Sequence, residues 1–293
     1  MWQLLQIELF KIFRKPRTYI SFGAIAAMVL IIQVALKFDG RSYIEFVLGS
    51  LKDSLEIPFD NILNGFFICF VILNLLLIHI PLLIALVAGD LVAGEANMGT
   101  LRLLATKPIS RTQLMLAKFF AATIYTAMLL LWMALLALAL SIFLFDTNDI
   151  IVARNDAIEL IKKDDVLWRY IAAFGYATVA LTTVAALAFL LSIFADNSIG
   201  PIVATISIVI VFTILSEMQI PLYDRTVKPY LFTSHMLAWK GFFYLKTDSE
   251  GTSIPGTIEN LPAVLRSMAV LLTYIVLFVT TAITIFKRKY ILS

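Results

Sequence analysis

The polar residues best placed to act on a partner lie in one stretch, Gly89 to Lys118, between two long apolar runs. This stretch contains Glu95, the pair Gly99-Thr100 and the sequence Pro108-Ile109-Ser110-Arg111. A plain linker between membrane helices needs only to be solvated, whereas this one combines an acidic group, a helix break and a proline-fixed approach to a new helix. The order of these features predicts a folded element that docks onto another protein.

Ser110 and Gln113 have the spacing of a capping box. In that motif a hydroxyl accepts a hydrogen bond from the backbone three residues further on, and the glutamine side chain reaches back. A helix is therefore predicted to begin near Arg111 and to continue into the following apolar run. Lys118, at the start of that run, is predicted to extend its ammonium group to the lipid headgroups.

The residue types needed for enzyme chemistry are scarce. The chain has one cysteine, Cys69, and two histidines, His79 and His235. Their spacing matches neither a set of zinc ligands nor a nucleophile beside its base. We therefore expect no catalytic, metal-binding or cofactor-binding residue in this chain. No nucleotide-hydrolysis motif is present either, so any ATP hydrolysis is expected to occur in a separate subunit.

Composition places the chain among membrane proteins, because 61% of its 293 residues are hydrophobic and only 15% are charged. Its mean hydropathy is +0.93. A bilayer core of about 30 Å requires roughly 20 helical residues per span. By that rule the chain is predicted to be an all-α polytopic membrane protein, a single domain over 1–293 with six transmembrane helices. The predicted spans are Tyr19–Leu36, Ile62–Ala88, Phe119–Phe145, Tyr170–Phe194, Ile202–Ile220 and Ala263–Phe286.

Basic residues predict the orientation of these spans. Eleven Lys and Arg residues lie in the N-terminal segment, in 89–118 and in the C-terminal tail, which are short. Such density in short segments is typical of the cytoplasmic side, so both termini are predicted to be cytoplasmic. Residues 1–17 are predicted to form an amphipathic helix in the membrane interface, with Trp2, Leu5, Leu9, Ile12 and Phe13 on its apolar face.

The polar stretch resembles the signature of ABC-2 type ABC-transporter permeases. That family shows a glutamate shortly before Gly-Thr, then leucines, a Pro-x-Ser-Arg element and a lysine that opens the next helix. The corresponding residues are Glu95, Gly99-Thr100, Leu104, Pro108-Ile109-Ser110-Arg111 and Lys118. One departure is that Ala96 and Asn97 stand where the family usually has charged residues.

The resemblance implies that 89–118 is a cytoplasmic coupling element, which seats in a groove of an ATP-binding cassette subunit. ATP and Mg would be bound by that partner. The chain would be the permease subunit of an exporter in the bacterial cytoplasmic (inner) membrane, paired with a second permease subunit as a homodimer or heterodimer. The coupling residues would be Glu95, Gly99, Thr100, Arg102, Pro108, Ser110 and Arg111.

Two other classes of function remain open at this stage. An ion-coupled secondary transporter would show paired intramembrane charges and interrupted helices in related halves of the chain. A membrane anchor or mechanical adaptor, such as a gliding-motility permease-like component, would use the same scaffold without moving a solute. Apolar spans favour an amphipathic or hydrophobic substrate, such as a lipid, a peptide or a drug.

Two further features could serve transport or packing. Asn74 and His79 lie within the second predicted span and are candidates for the transport pathway or for hydrogen bonds to a neighbouring helix. The long outer loop, 221–262, is rich in aromatic residues and prolines. The resemblance implies re-entrant helices that form an outer gate in this loop, and an ordinary surface loop with an aromatic belt is the alternative. The acidic loop from Asp146 to Arg169 is long enough for short helices on the membrane surface, and its expected role is solvation.

Overall fold

The computed structural model describes residues 1–48, 62–100, 109–154, 157–218, 226–248 and 253–288. Six helical stretches within this part of the chain are long and apolar enough to cross a membrane. The prediction of an all-α polytopic membrane protein is thus confirmed. The six stretches are Pro16–Gly40, Gly65–Asn97, Arg111–Phe145, Lys163–Leu191, Ile199–Glu217 and Leu261–Arg288. We call the side that holds the start of the first stretch and the end of the last the inner side.

The helices follow one another with few long interruptions. They are α1 (Trp2–Arg14), α2 (Pro16–Leu48), α3 (Gly65–Ala88), α4 (Ala93–Asn97), α5 (Arg111–Ala134), α6 (Leu140–Phe145), α7 (Leu167–Leu191), α8 (Ile199–Glu217), α9 (Phe232–Met236) and α10 (Leu261–Arg288). A π-helical segment, Leu135–Ala139, joins α5 to α6. Short 3₁₀ helices cover Lys163–Asp165, Lys228–Tyr230 and Leu237–Phe243.

The start of α5 follows the predicted capping chemistry. The Ser110 side chain accepts a hydrogen bond from the Gln113 backbone N–H at 3.2 Å, and the helix begins at Arg111. This arrangement satisfies one of the four N–H groups that the first turn of a helix leaves without a partner. The prediction of a helix start near Arg111 is confirmed.

Helix α7 lies at the centre of the bundle. It packs against α3, α5, α8 and α10. The most apolar part of the span that contains α7 is 67% buried, and that of the α3 span is 61% buried. The corresponding value is 22% for α8 and 22% for α10. The two buried helices therefore form the core, and α8 and α10 lie at the periphery, where lipid or another subunit would cover them.

The acidic outer loop forms strands, although its length also allowed short helices. Strands β1 (Ile150–Arg154) and β2 (Ala157–Ile161) form an antiparallel hairpin in place of surface helices. The expectation of short helices missed a run of three β-branched residues, Ile150, Ile151 and Val152, which favour strands. These three side chains are buried in the core of the protein.

The outer segment 226–248 is packed into the bundle. Trp239 and Phe243, in its second 3₁₀ helix, are fully buried. The Phe70 ring of α3 lies 5.6 Å from the Trp239 ring, and the Tyr170 ring of α7 lies 4.9 Å from the Phe243 ring, as centroid distances. This part of the loop therefore closes the outer ends of two core helices, whereas its re-entry into the membrane remains a prediction.

A buried arginine holds that outer segment in place. Arg169, in the first turn of α7, donates hydrogen bonds to the carbonyl oxygens of Phe242 at 2.5 Å and Thr257 at 2.9 Å. Its guanidinium also pairs with the Asp165 carboxylate at 2.6 Å. Charge-assisted bonds of this kind are stronger than neutral ones, so Arg169 ties two points of the outer loop to the core.

The π-helical segment of the third span is also tied to a neighbour. Gln33 of α2 donates its amide to the Leu136 carbonyl oxygen at 3.0 Å and to the Ser141 hydroxyl at 2.8 Å. A π-turn displaces backbone carbonyls from their regular partners, and in lipid each of these groups must be satisfied within the protein. Gln33 supplies one such partner, which explains a buried amide in an apolar helix.

Candidate functional site

The inner end of the bundle contains four charged side chains that pair in a closed ring. Lys11 of α1 lies 2.7 Å from Glu8 Oε1 and 2.7 Å from Glu95 Oε1. Lys118 of α5 lies 2.9 Å from Glu8 Oε2 and 2.7 Å from Glu95 Oε2. Each carboxylate thus binds both ammonium groups, and we call Glu8, Lys11, Glu95 and Lys118 the four-charge ring.

Three members of the ring are buried. The exposed fraction is 1% for Lys118, 3% for Glu8 and 5% for Glu95. The prediction that Lys118 reaches the headgroups is therefore wrong, because two carboxylates hold its ammonium group inside the protein. An unpaired buried charge would be very costly, but the ring contains two positive and two negative groups and is neutral as a whole.

The ring joins three separate segments of the chain. Glu8 and Lys11 come from α1, Glu95 from the short helix α4, and Lys118 from the third turn of α5. Burial acts to lower the pKa of Lys11, yet its hydrogen bonds to Glu8 and Glu95 outweigh this effect and raise that pKa above the usual value of 10.5. Lys11 therefore stays charged at neutral pH, as the pairing requires.

A second buried carboxylate ties together further inner segments. Asp90, just after α3, is 3% exposed. Its Oδ2 lies 2.5 Å from Lys15 Nζ, and its Oδ1 lies 3.0 Å from Arg17 Nη1. The Ser198 hydroxyl, in the turn between α7 and α8, donates a hydrogen bond to Asp90 Oδ1. Asp90 therefore links the junction of α1 and α2 to the end of α3 and to the α7–α8 turn.

Gly94 leaves room for the Asp90 carboxylate. A Cβ atom at this position would lie 2.3 Å from Asp90 Oδ1, far closer than any allowed contact. The carboxylate thus packs directly against the backbone of α4. The same short helix carries Glu95, so the two acidic clusters share one structural element.

Arg111 binds to the end of the last helix. Its Nη1 donates hydrogen bonds to the carbonyl oxygens of Lys287 at 2.9 Å and Phe286 at 3.4 Å. The last carbonyls of a helix lack partners within the helix, and a cation near them is favourable. Arg111 therefore connects the start of α5 to the inner end of α10.

The predicted coupling residues are partly brought together by these contacts. Gly99 has a φ of +69°, a left-handed conformation that suits glycine, and it follows Met98, the C-cap of α4. The Thr100 hydroxyl donates a hydrogen bond to the Glu95 carbonyl oxygen at 3.3 Å. Glu95 and Arg111 both face other parts of the chain. Arg102 and Pro108 lie outside the described residues.

The two polar residues of the second span stay on their own helix. The Asn74 amide donates a hydrogen bond to the Phe70 carbonyl oxygen at 3.0 Å. His79 Nδ1 lies 2.7 Å from the Leu75 carbonyl oxygen, and its side chain is exposed. The expected hydrogen bond between His79 and a neighbouring helix is thus replaced by one within α3. Within the described residues, no group of three or more His, Cys, Asp or Glu side chains could hold a metal ion.

Sequence reasoning missed the partners of the ring. Glu8 is spaced three residues from Leu5 and four residues from Ile12, so a helical wheel places its carboxylate on the face that packs against α5. A carboxylate on a buried face requires a nearby cation. The position of Glu8 on that face could therefore have predicted a buried ion pair. Trp2, which was predicted on that face, is instead 69% exposed. Ile7 and Phe10 are also exposed, at 51% and 64%.

The inner polar contacts form a mechanical linkage between the spans. The four-charge ring, Asp90 and Arg111 connect the inner ends of all six spans through polar contacts. A displacement of α4 would therefore be passed to several helices at once.

Comparison with curated proteins finds no match. A family model described as "Protein of unknown function (DUF2705)" matches residues 23–292, which covers nearly the whole chain, most of the first span and the other five spans in full. The chain therefore belongs to the DUF2705 family.

Proposed function

We propose that this protein is the transmembrane permease subunit of an ATP-driven ABC exporter. A separate ATP-binding cassette subunit hydrolyses ATP, and its movement is passed to the spans through the element between α3 and α5. Two permease subunits pair around the substrate path, in a bacterial cytoplasmic membrane with both termini in the cytoplasm. The substrate class is amphipathic or hydrophobic.

The observation that carries this proposal is the anchoring of α4. A loop that only connects two membrane helices gains nothing from three buried charges at its base, and burying them is costly unless they are fully paired. Helix α4 is instead held to α1 and α5 by Glu95 and rests against Asp90 through Gly94. Such a rigid base is what a lever between a partner and the spans requires.

The surface offered to the partner lies just beyond the ring. Glu95 shapes the element from inside, whereas Asn97, Met98 and Gly99 are exposed. The Met98 side chain is 59% exposed, and flexible methionines suit contact surfaces that must adapt during movement. We therefore assign contact with the ATP-binding subunit to Asn97, Met98 and Gly99, which we call the Met98 tip. Glu95 does not touch the partner but holds α4 in position.

The path for the substrate is assigned to an exposed face of α3. Leu75, Ile78 and His79 are exposed on neighbouring turns of this helix. An ionisable side chain on the outward face of a membrane helix calls for a protein partner or a hydrated path in place of lipid. Pairing of two subunits across this face would supply either environment.

The test uses a single introduced cysteine. Cys69 is fully buried, so Met98→Cys creates one accessible thiol in the described part of the chain. We expect this variant to crosslink to an ATP-binding subunit in a purified assembly that hydrolyses ATP. Met218→Cys, 40% exposed and just beyond the far end of α8, is the matched control and should not crosslink.

Two results would count against the proposal. One is labelling of Met98→Cys by a membrane-impermeant reagent applied to the outside of intact cells. The other is transport by the purified protein that is driven by an ion gradient and needs no ATP. The second result would favour the ion-coupled class.

A further inference from the structure

An open groove of about 400 Å³ lies at the inner end of the bundle, and no residue of the four-charge ring lines it. Its walls are Ile193 and Phe194, which follow α7, and Ile285 and Arg288, in the last turn of α10. Three walls are thus apolar and the fourth is cationic. A volume of this size is within the range of sites that bind organic ligands.

The groove lies where the apolar part of α10 ends. Ile285 and Phe286 are the last apolar residues of this 28-residue helix, and Lys287 and Arg288 follow them. Such a change from apolar to basic residues marks the boundary between hydrocarbon and headgroups. Phe194 is 63% exposed at the same level, which is unfavourable in water and favourable at a membrane interface.

Charge decides which ligand suits the groove. Lys287 and Arg288 are both exposed in the last turn of α10. Asp196, the acidic residue of the adjacent turn, is engaged in an interaction of its own. A ligand that fills the groove therefore meets apolar walls below and a guanidinium at the rim, which fits an acyl chain that carries an anionic phosphate group.

We propose that this groove binds one anionic phospholipid of the inner-side leaflet. The phosphate group binds Arg288, and an acyl chain lies against Ile193, Phe194 and Ile285. Basic pockets between membrane helices on the cytoplasmic side are a recurrent form of anionic-lipid site. The position of the groove at the boundary between hydrocarbon and headgroups favours a lipid over a soluble protein partner. This proposal does not depend on the exporter function.

Native mass spectrometry of the full-length protein in detergent tests the proposal. Phosphatidylglycerol and phosphatidylcholine with identical acyl chains serve as the anionic and the neutral probe. We expect preferential retention of one phosphatidylglycerol, and an affinity about fivefold lower in Arg288→Gln, with phosphatidylcholine unaffected. Phe194→Ala should weaken retention of both lipids, because it removes an apolar wall.

Two variants make the result decisive. Arg266→Gln is the matched control, because Arg266 is an exposed arginine near the far end of the same helix. Arg288→Lys keeps the charge and should keep most of the preference, even if Arg288→Gln folds poorly.

Equal effects of Arg288→Gln and Arg266→Gln would overturn the proposal, as would the absence of any preference for phosphatidylglycerol. Retention of phosphatidylglycerol only after removal of the residues that follow Arg288 would also overturn the proposal, because the chain's own tail would then compete for the groove.

Discussion

Replacement of Lys118 by methionine tests whether the four-charge ring contributes to the stability of the folded protein. Methionine keeps the length and the apolar stem of the side chain but removes the ammonium group. Glu8 and Glu95, 3% and 5% exposed, would then share Lys11 as the only cation of the ring. Breaking a buried ion pair from one side costs about 3–5 kcal/mol, so we expect a loss of this size in Lys118→Met.

A double-mutant cycle separates the charge effect from lost packing. Glu8→Gln together with Lys118→Met removes one charge of each sign and leaves the pair of Lys11 and Glu95, which are 2.7 Å apart. We expect the double variant to be less destabilised than the sum of the two single variants, by about 1–3 kcal/mol. Such coupling arises only if the two groups meet in the folded protein.

The assay is reversible unfolding of the purified protein in mixed detergent micelles, followed by circular dichroism. Lys246→Met is the matched control, because Lys246 is exposed in a short outer strand, and its free energy of unfolding should change by less than about 0.5 kcal/mol. If Lys118→Met behaves like this control, or if the two single effects simply add, the reasoning about the ring is refuted.

Two further predictions use the same unfolding assay. Gly94→Ala should destabilise the protein by about 1–3 kcal/mol, because its Cβ would lie 2.3 Å from Asp90 Oδ1. Gly175→Ala, where a Cβ meets nothing within 4 Å inside α7, should be neutral or gain up to about 1 kcal/mol, and an equal effect at both sites would contradict the packing argument. Trp239→Ala should cost about 3–5 kcal/mol, because the ring is fully buried against Phe70 and Phe243. Trp2→Ala, 69% exposed, should change little, and a reversed order would show that the outer segment is not part of the core.

Local signals in the sequence predicted the elements well. Apolar runs of sufficient length predict six spans, because a bilayer sets the length of helix that must be apolar. Ser110 and Gln113 predict the start of α5, because a cap depends on residues only three positions apart. The β-branched run at Ile150 also carried a strand signal, although only short helices were expected in this loop.

The partners within the site could not be predicted in the same way. Lys118 pairs with Glu8 across 110 positions in the chain, and no local rule connects them. A lysine at the start of a span is normally expected to reach the headgroups, and only the fold shows two carboxylates within its reach. Arg111 presents the same difficulty, because its partners are backbone carbonyls at the end of α10, 175 and 176 positions away.

The use of charged residues in the four-charge ring, where apolar residues could also pack, needs a physical explanation. Well-packed apolar residues in place of a buried ion network are often as stable or more stable, so stability alone does not explain four charges. Apolar surfaces, however, can slide by one helical turn of 5.4 Å and still remain buried. If α1 moved by one turn along α5, Glu8 would leave Lys118, and buried charges would lose their partners. We infer that the ring fixes the register of α1 and α4 against α5, so that these three helices move as one body.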